Sequence, residues 1–326
     1  RAFMTFLRAD SSSGKDCLLL NQGSPSPPED LPSEGGKRIS GIGIICFLVS
    51  KRYFYSQDED LQKGEHMGRR LVDRVAVVTG ASRGIGKGIA IALGEKGATV
   101  YVTGRTRGDG ERTIDTTAAL VTQAGGNGIA VEVDHFQDDQ IQELFKQVKA
   151  EQEGLDILVN NVFKIPDPPA WTGGFWEHPL QIWDDQVGIG LRAHYVASHS
   201  AVPLLMGREN ALIANITSPA GFTYLFNAAY SIGKAGLDRM THDLGFELIE
   251  HGVAVVGMRP GPVLTEFIED QAASGVQVSL EGVETPIYVG RVVAAAAADP
   301  ELMSMTGRVH WTSRLGRQYE IIDENG

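Results

Sequence analysis

From about residue 71 onward, short continuous apolar runs alternate with segments in which apolar residues recur at helical spacing. Val75–Val78 is a short, continuous apolar run that ends at Thr79-Gly80, as is typical of a strand buried on both faces. Similar runs predict six further strands, at residues 99–103, 129–133, 157–159, 212–216, 253–258 and 308–311. Apolar residues at helical spacing predict helices at residues 84–93, 114–124, 140–152, 183–205, 229–250 and 289–298.

The alternation of strand and helix predicts the architecture. Strands that alternate with helices favour an α/β fold with a doubly wound parallel sheet and helices on both faces, in a single domain. Residues 262–288 lack a clear period and are predicted to be an irregular segment that caps the pocket.

The first 66 residues follow neither pattern. Residues 24–36 are rich in Ser, Pro, Gly and acidic residues, so residues 1–66 are predicted to be a disordered tail and residues 67–326 the folded domain. The apolar run from Ile42 to Val49 is under half the length needed to span a bilayer. The tail therefore gives no support for membrane association.

Composition excludes several classes of function. The 326 residues carry 29 Lys and Arg against 41 Asp and Glu, a net charge of −12, whereas a nucleic-acid-binding protein needs a basic surface. Both cysteines, Cys17 and Cys46, lie in the predicted tail, which excludes disulfides and cysteine-based metal sites from the rest. The eight histidines lack metal-ligand spacing on a helix face, so no metal is expected.

The most informative local motif is the glycine turn between the first strand and the first helix. Three glycines there permit a tight turn and bring backbone N–H groups and a helix N-terminus close to a diphosphate. The candidate cofactor-binding residues of the turn are Gly80, Ser82, Arg83, Gly84, Ile85 and Gly86. The same stretch also matches the Gly-x-Ser-x-Gly elbow of hydrolases, with Ser82 as nucleophile, but that fold needs several strands before the elbow.

The end of the second strand bears on the choice of cofactor. An NAD site places an acidic residue there to bind the ribose 2′-hydroxyl. This strand is followed instead by Arg105-Thr106-Arg107, and Arg83 lies in the glycine turn on the same side. Because guanidinium groups suit a phosphate in charge and geometry, the sequence favours NADP(H).

A candidate catalytic set follows the fifth strand. Tyr230 and Lys234 are four residues apart, which places them on one face of a predicted helix. A neighbouring ammonium is expected to lower the pKa of the phenol and make it a usable proton donor. Ser218 ends the preceding strand, where its hydroxyl could bind the same carbonyl oxygen. Ser218, Tyr230 and Lys234 are therefore the predicted catalytic residues.

These motifs together resemble the short-chain dehydrogenase/reductase family, over about residues 70–315. The matching blocks are the glycine turn, Asn160-Asn161, Ser218, Tyr230 with Lys234, and Pro260-Gly261 with Thr265. The resemblance implies a Rossmann-type fold and a Ser–Tyr–Lys site in which Lys234 also holds the nicotinamide ribose. It implies further cofactor-binding residues: Asp134 near the adenine, Asn160 supporting sheet and cofactor, and Pro260, Gly261, Val263 and Thr265 near the nicotinamide.

The resemblance also implies the reaction, the oligomeric assembly and the cellular location. The expected activity is NADPH-dependent carbonyl reduction, with hydride transfer to a ketone, aldehyde or quinone of steroid or xenobiotic type. Ser218 and Tyr230 would hold the carbonyl oxygen, and Tyr230 would deliver the proton. The expected assembly is a homodimer or homotetramer, and the expected location is cytoplasmic, with the surface of the endoplasmic reticulum as the alternative.

Two positions depart from the family pattern. Val162-Phe163 stands where most members have Ala-Gly after the Asn-Asn pair, and Gly190 stands where most carry a catalytic Asn. That Asn normally helps to bind a water that links the lysine to solvent, so the proton supply is either slower here or routed through His194, one helical turn further on. The rival hypothesis is an NADPH-binding sensor or scaffold with little turnover.

Overall fold

The described part of the protein forms one seven-stranded sheet in which every pairing is parallel. The structure, a computed structural model, describes residues 71–167, 169–275 and 282–325. The sheet order is β3-β2-β1-β4-β5-β6-β7. The strands are β1 Val75–Val78, β2 Thr99–Gly104, β3 Asn127–Glu132, β4 Ile157–Asn160, β5 Ala211–Ile216, β6 Val253–Arg259 and β7 Arg308–Trp311. The predicted tail, residues 1–66, lies outside the described residues, so its disorder stays a prediction.

Helices connect the strands and cover both faces of the sheet. They are α1 Gly84–Glu95, α2 Ile114–Gln123, α3 Asp138–Gln152, α4 Gln181–Trp183, α5 Ala193–Leu205, α6 Ala228–Leu248, α7 Glu266–Ala273, α8 Pro286–Ala297 and α9 Thr312–Gln318. A π-helical segment, Asp184–Arg192, joins α4 to α5. This arrangement confirms the predicted doubly wound, Rossmann-type fold.

The strand residues form this sheet because their side chains are apolar on both faces. In β1, Ala76 and Val78 belong to the core beneath α1 and α8, whereas Val75 and Val77 belong to the core beneath α3 and α5. All four residues are buried. Such alternation divides one continuous apolar run between two cores, which is how a strand in the middle of a parallel sheet is stabilised.

Helices α1 and α8 cross at a pair of glycines. A β-carbon at Gly88 would collide with the backbone carbonyl of Pro286, and one at Gly290 would collide with the carbonyl oxygen of Gly88. The helices can therefore approach backbone to backbone. This contact joins the first helix of the described domain to one near its end.

Three predicted elements differ from the structure. The segment predicted to be irregular contains α7, and the chain after β7 continues directly into α9, which was not predicted. The helix predicted over residues 183–205 contains the wider π-helical turns at Asp184–Arg192, and Pro203 lies within α5. A hydrophobic period of 3.6 does not distinguish α-helical from π-helical turns over nine residues.

Candidate active site

The glycine turn has the tight backbone that its sequence predicts. Gly80 and Gly84 have φ values of +67° and +57°, which favour glycine. A β-carbon at Gly80 would lie 2.6 Å from the Cα of Val162. The side-chain amide of Asn161 donates hydrogen bonds to the carbonyl oxygens of Thr79 (2.9 Å) and Gly80 (3.0 Å). Asn161, whose separate role the sequence did not reveal, thus ties the turn to the end of β4.

The helix that opens at this turn has a backbone N–H group that binds an anionic side chain. The backbone N–H of Gly84 donates to a carboxylate oxygen of Glu266 over 2.7 Å. A carboxylate at the N-terminus of a twelve-residue helix occupies the position that suits a phosphate oxygen. At Gly86 a β-carbon would collide with Asn161 and the carbonyl of Gly80, so only glycine fits there. The turn therefore fits the diphosphate of a dinucleotide.

Basic side chains lie where β2 meets the turn. The guanidinium group of Arg83 donates to the hydroxyl of Thr106 (3.2 Å) and that of Ser82 (3.4 Å), so the structure brings the turn and the strand end together. Arg83 and Arg105 are exposed, and Arg105 forms no salt bridge within the described ranges. Arg107 is instead paired with Asp115 at 2.7 Å. Two cations, one from each segment, therefore remain available to a ligand.

The three predicted catalytic residues meet beside the end of β5. Ser218 is buried and starts a 3₁₀ turn, where its hydroxyl accepts a hydrogen bond from the N–H of Ala220 (2.9 Å). Tyr230 lies in the first turn of α6, which Asn227 caps by accepting from the Tyr230 N–H (2.9 Å). Lys234 is one turn further, and its ammonium donates to the carbonyl oxygen of Ile216 (2.9 Å).

Burial sets the protonation of this group. Burial raises the pKa of Tyr230, and a hydrogen bond with Ser218 opposes that rise. The expected lowering of the phenol pKa by the ammonium is therefore wrong for this structure, because desolvation of the phenolate outweighs other effects. Burial also lowers the pKa of Lys234 to about 8, against the attraction of Asp238. The site thus holds a protonated phenol beside an ammonium that can release its proton near neutral pH.

The remaining predicted cofactor residues divide into two groups. Thr265 lies beside the glycine turn, with its methyl carbon 3.4 Å from the β-carbon position of Gly84, and Pro260, Gly261 and Val263 lead to it from β6. Asn160 is fully buried and donates to Ser198 and Asn215, 2.9 Å each, so it braces the sheet.

Asp134 follows β3 at the predicted place. One of its carboxylate oxygens accepts from the N–H of Phe136 at 3.1 Å and fixes the local turn. Its own N–H donates to the side chain of Gln140 over 2.8 Å. The residue therefore lies at the carboxyl edge of the sheet together with the glycine turn, as an adenine contact requires.

Gly190 lies in the π-helical segment and is buried against Phe163. A β-carbon at Gly190 would lie 3.4 Å from the ring of Phe163, with no other atom closer. His194 is buried, its Nε2–H donates to the carbonyl oxygen of Val162 (2.9 Å), and its Nδ1 has no partner among the described residues. Burial and the nearby Lys234 lower the pKa of His194 to about 3. Such an imidazole accepts protons poorly at neutral pH, which argues against the route through His194.

Aromatic side chains surround Tyr230 in a way that the sequence did not predict. Phe226 and Tyr230 have ring centroids 5.4 Å apart, and Trp171 packs on Phe226 (6.0 Å) and on Phe267 of α7 (5.8 Å). These rings come from three separate segments, so no local pattern could reveal them. They form an apolar wall that leads to the phenol.

The fold and this arrangement match known proteins. The family model for short chain dehydrogenases matches residues 74–274, well over half of the chain. The chain belongs to the short chain dehydrogenase family. This family uses nicotinamide dinucleotides, and its members are oxidoreductases.

Individual members of the family match over most of their length. "Dehydrogenase/reductase SDR family member 1" of mouse is 38% identical over 266 residues, which cover 78% of this chain and 84% of that protein. A 3-oxoacyl-[acyl-carrier-protein] reductase of a Synechocystis strain is 30% identical and is covered to 94%. The crystal structure of a protein described as a dehydrogenase from Xanthomonas campestris superposes with a TM-score of 0.68 at 26% identity, covering 78% of this chain and 92% of that one.

The described residues show neither a metal-binding cluster nor a membrane-spanning helix. Within residues 71–167, 169–275 and 282–325, no group of three or more His, Cys, Asp or Glu side chains could hold a metal ion. In the same ranges, no helix combines the length and the apolar character needed to cross a membrane.

Proposed function

We propose that this short-chain dehydrogenase is an NADPH-dependent carbonyl reductase that acts on ketones, aldehydes or quinones of steroid or xenobiotic type. The observation that carries the proposal is the juxtaposition of Ser218, Tyr230 and Lys234: two hydroxyl groups joined by a hydrogen bond, and a buried ammonium on the same helix as the phenol. Several relatives are named as reductases, which agrees with this direction of reaction.

Each of the three side chains has a task that its surroundings permit. The hydroxyls of Ser218 and Tyr230 hydrogen-bond the substrate oxygen, and Tyr230 gives it a proton as negative charge develops. A phenol whose pKa is raised keeps that proton until the oxygen becomes basic. A bound reduced nicotinamide supplies the hydride. Lys234, with a pKa of about 8, supplies a positive charge and can restore the proton to the phenol.

The preference for NADPH rests on the two cations at the turn. Arg83 is held beside Thr106 by its hydrogen bond, and Arg105 precedes Thr106 on the same exposed loop. No acidic residue stands between Gly104 and Arg107 to bind a ribose 2′-hydroxyl. A 2′-phosphate placed between the two guanidinium groups would receive charge-assisted hydrogen bonds from both.

The aromatic wall supports an apolar substrate. Trp171 contacts the rings of both Phe226 and Phe267, and Phe226 in turn contacts Tyr230. Flat aromatic surfaces of this kind favour a fused-ring or aromatic carbonyl compound over a short polar one.

The proposal is tested by cofactor binding and consumption with the purified chain. We expect NADPH to bind more tightly than NADH and to be oxidised with a panel of quinones, ketosteroids and aldehydes. Tyr230→Phe should remove the turnover and leave NADPH binding nearly intact, whereas Lys234→Met should weaken both. NADPH binding without turnover on the whole panel would favour the sensor or scaffold hypothesis. Hydrolysis of esters without a cofactor would instead favour the alternative hypothesis of a hydrolase with Ser82 as the nucleophile.

We also propose that the chain forms a homodimer or homotetramer through α5 and α6. Tyr195 on α5 and Ile232 and Phe246 on α6 are about half exposed or more, which is costly for apolar groups in an isolated chain. Light scattering at micromolar concentration tests this proposal. A monomeric mass would contradict it.

A further inference from the structure

Phe163 contacts two of the predicted catalytic residues, Tyr230 and Lys234. It lies in the loop that follows β4, three residues after Asn160. Its ring meets the ring of Tyr230 edge to face, with centroids 5.4 Å apart and planes at 68°. The ammonium nitrogen of Lys234 lies 5.3 Å from the centroid of the same ring. One side chain thus contacts both the proton donor and its cation.

The ring also accounts for the space at position 190. Only atoms of Phe163 come within 4 Å of a β-carbon built on Gly190, the nearer at 3.4 Å. A β-carbon would still fit, but an asparagine amide extends further from the backbone and would meet the ring. Gly190 and Phe163 therefore complement each other: because Gly190 has no side chain, the ring of Phe163 fills the adjacent space.

The other charged groups near Lys234 are already engaged or neutral. Asp238, on the same helix, binds Arg259 (2.5 Å) and accepts from the hydroxyl of Thr217 (2.5 Å). His194, from α5, is neutral because burial lowers its pKa to about 3. Tyr230 is protonated because burial raises its pKa. Among the described residues, the carbonyl oxygen of Ile216 and the face of Phe163 contact the ammonium directly, and Asp238 attracts it by charge.

We propose that Phe163 is a positioning residue that holds the Lys234 ammonium against the Tyr230 phenol, in the place where other short-chain dehydrogenases use an asparagine side chain. The negative face of the ring attracts the cation, and the ring body keeps the phenol from turning. The inference rests on the proposed function for its catalytic meaning. The positioning itself concerns only side chains of this chain and can be measured without cofactor or substrate.

The first experiment measures the pKa of Lys234 in the free protein. Lysine labelled with carbon-13 at Cε is titrated by NMR, and Lys234→Met assigns the signal. Phe163→Leu keeps the volume and the exclusion of water but removes the aromatic face, so it should lower the pKa of Lys234. Phe163→Tyr should restore the wild-type value.

Phe226→Leu is the matched control for this titration. Phe226 lies 5.4 Å from Tyr230, as Phe163 does, but is not among the residues with a ring over the ammonium. We expect the Lys234 pKa of this variant to equal that of the wild type. An unchanged or raised pKa in Phe163→Leu, or an equal fall in Phe226→Leu, would overturn the proposal.

The second experiment is a double-mutant cycle on turnover. Gly190→Asn should lower kcat by about ten-fold because the amide displaces the ring, and Phe163→Gly should lower it because the ammonium loses its support. Together the two changes recreate the family pattern at positions 163 and 190 and should recover most of the loss, with a smaller solvent isotope effect than in either single variant. Additive losses would count against the proposal. If the wild type has no turnover, the proposed function fails, and the titration alone decides the role of Phe163.

Discussion

Glycines occupy both the turn after β1 and the helix that faces Lys234, but for different reasons. In the turn, a β-carbon at Gly80 would lie 2.6 Å from a backbone atom of the β4 loop, and Gly86 leaves no room at all. At Gly190 the nearest atom is a side-chain carbon at 3.4 Å, which is ordinary contact. The turn needs glycine so that backbones can approach, whereas Gly190 is matched to one neighbouring ring.

The two regions also differ in how they hold charge. The turn offers backbone N–H groups and exposed guanidinium groups, which bind an anion at the surface. The pocket around Tyr230 buries one ammonium beside aromatic rings and a carbonyl oxygen. Binding and chemistry should therefore respond separately to substitution, and five measurements test that separation.

The largest effect is expected from Tyr230→Phe. The variant keeps the ring contacts with Phe163 and Phe226 but loses the proton that the substrate oxygen needs. Turnover should fall by roughly 10²–10⁴-fold, the usual contribution of a positioned acid. The dissociation constant for NADPH should change by less than about two-fold, because the turn is untouched. Stopped-flow kinetics and fluorescence titration measure the two quantities, and retained turnover would mean that another group donates the proton.

Gly86→Ala should damage the glycine turn. The added methyl group collides with the amide of Asn161 and the carbonyl of Gly80, so the turn must shift. Forcing an extra carbon into a packed region costs about 1–3 kcal/mol. We expect a lower unfolding temperature and loss of dinucleotide binding. Gly188→Ala is the matched control, since its nearest neighbour is 3.8 Å away and its backbone is unstrained; equal damage in both variants would contradict the explanation.

Arg105→Ala should weaken NADPH selectively. A charge-assisted hydrogen bond to the 2′-phosphate contributes about 1.5–3 kcal/mol, so the preference over NADH should fall by roughly ten-fold or more. NADH binding should stay nearly constant, and so should the kcat at saturating NADPH. Arg107→Ala serves as the comparison because Arg107 is already paired with Asp115. Equal wild-type affinities for the two cofactors would refute the predicted preference.

Lys234→Met should stabilise the free protein at neutral pH. Burial lowers the pKa of Lys234 from 10.5 to about 8, so between these values the unfolded chain holds a proton that the folded chain has released. The free energy of unfolding of the wild type therefore rises with pH across this window. Below about pH 8 the folded chain keeps Lys234 charged, and burial of that charge lowers the free energy of unfolding by about 3 kcal/mol at most. Urea denaturation should show the free energy of unfolding of the variant exceeding that of the wild type by less and less as the pH rises towards 10.5. If this difference in free energy of unfolding did not change with pH, the buried ammonium would not be its cause.

The smallest effect is expected from Gly190→Ala. The methyl group makes ordinary contact with the ring of Phe163, and the helical backbone there tolerates any residue. Stability should change by less than about 1 kcal/mol, and turnover by less than about three-fold. A loss as large as that of Gly86→Ala would remove the distinction between the two glycines.

The sequence predicted the cofactor region better than the pocket. The strands β1 and β7 match their predicted bounds, and the glycine turn has the predicted backbone, since both depend on local composition. Helix α7 was not predicted because it has only 8 residues and none of them is buried, so its period is too short to recognise. Helix α9 begins directly after β7, without a linker that would separate the two patterns.

The pocket depends on contacts between distant segments. The roles of Phe163 and Trp171 follow from where loops meet α6 and α7, which no single stretch of sequence records. The direction of the Tyr230 pKa was predicted wrongly for the same reason, because burial by distant residues outweighs the charge four positions along the helix.

The crossing of Gly88 and Gly290 has a consequence for synthesis of the chain. The glycine turn and α1 leave the ribosome early, yet the helix that packs on them backbone to backbone is made some two hundred residues later. Until α8 emerges, one flank of α1 has no partner, so a nascent chain that stops before residue 286 should expose this apolar surface to chaperones. The packing around α1 is therefore completed only after α8 has been synthesised.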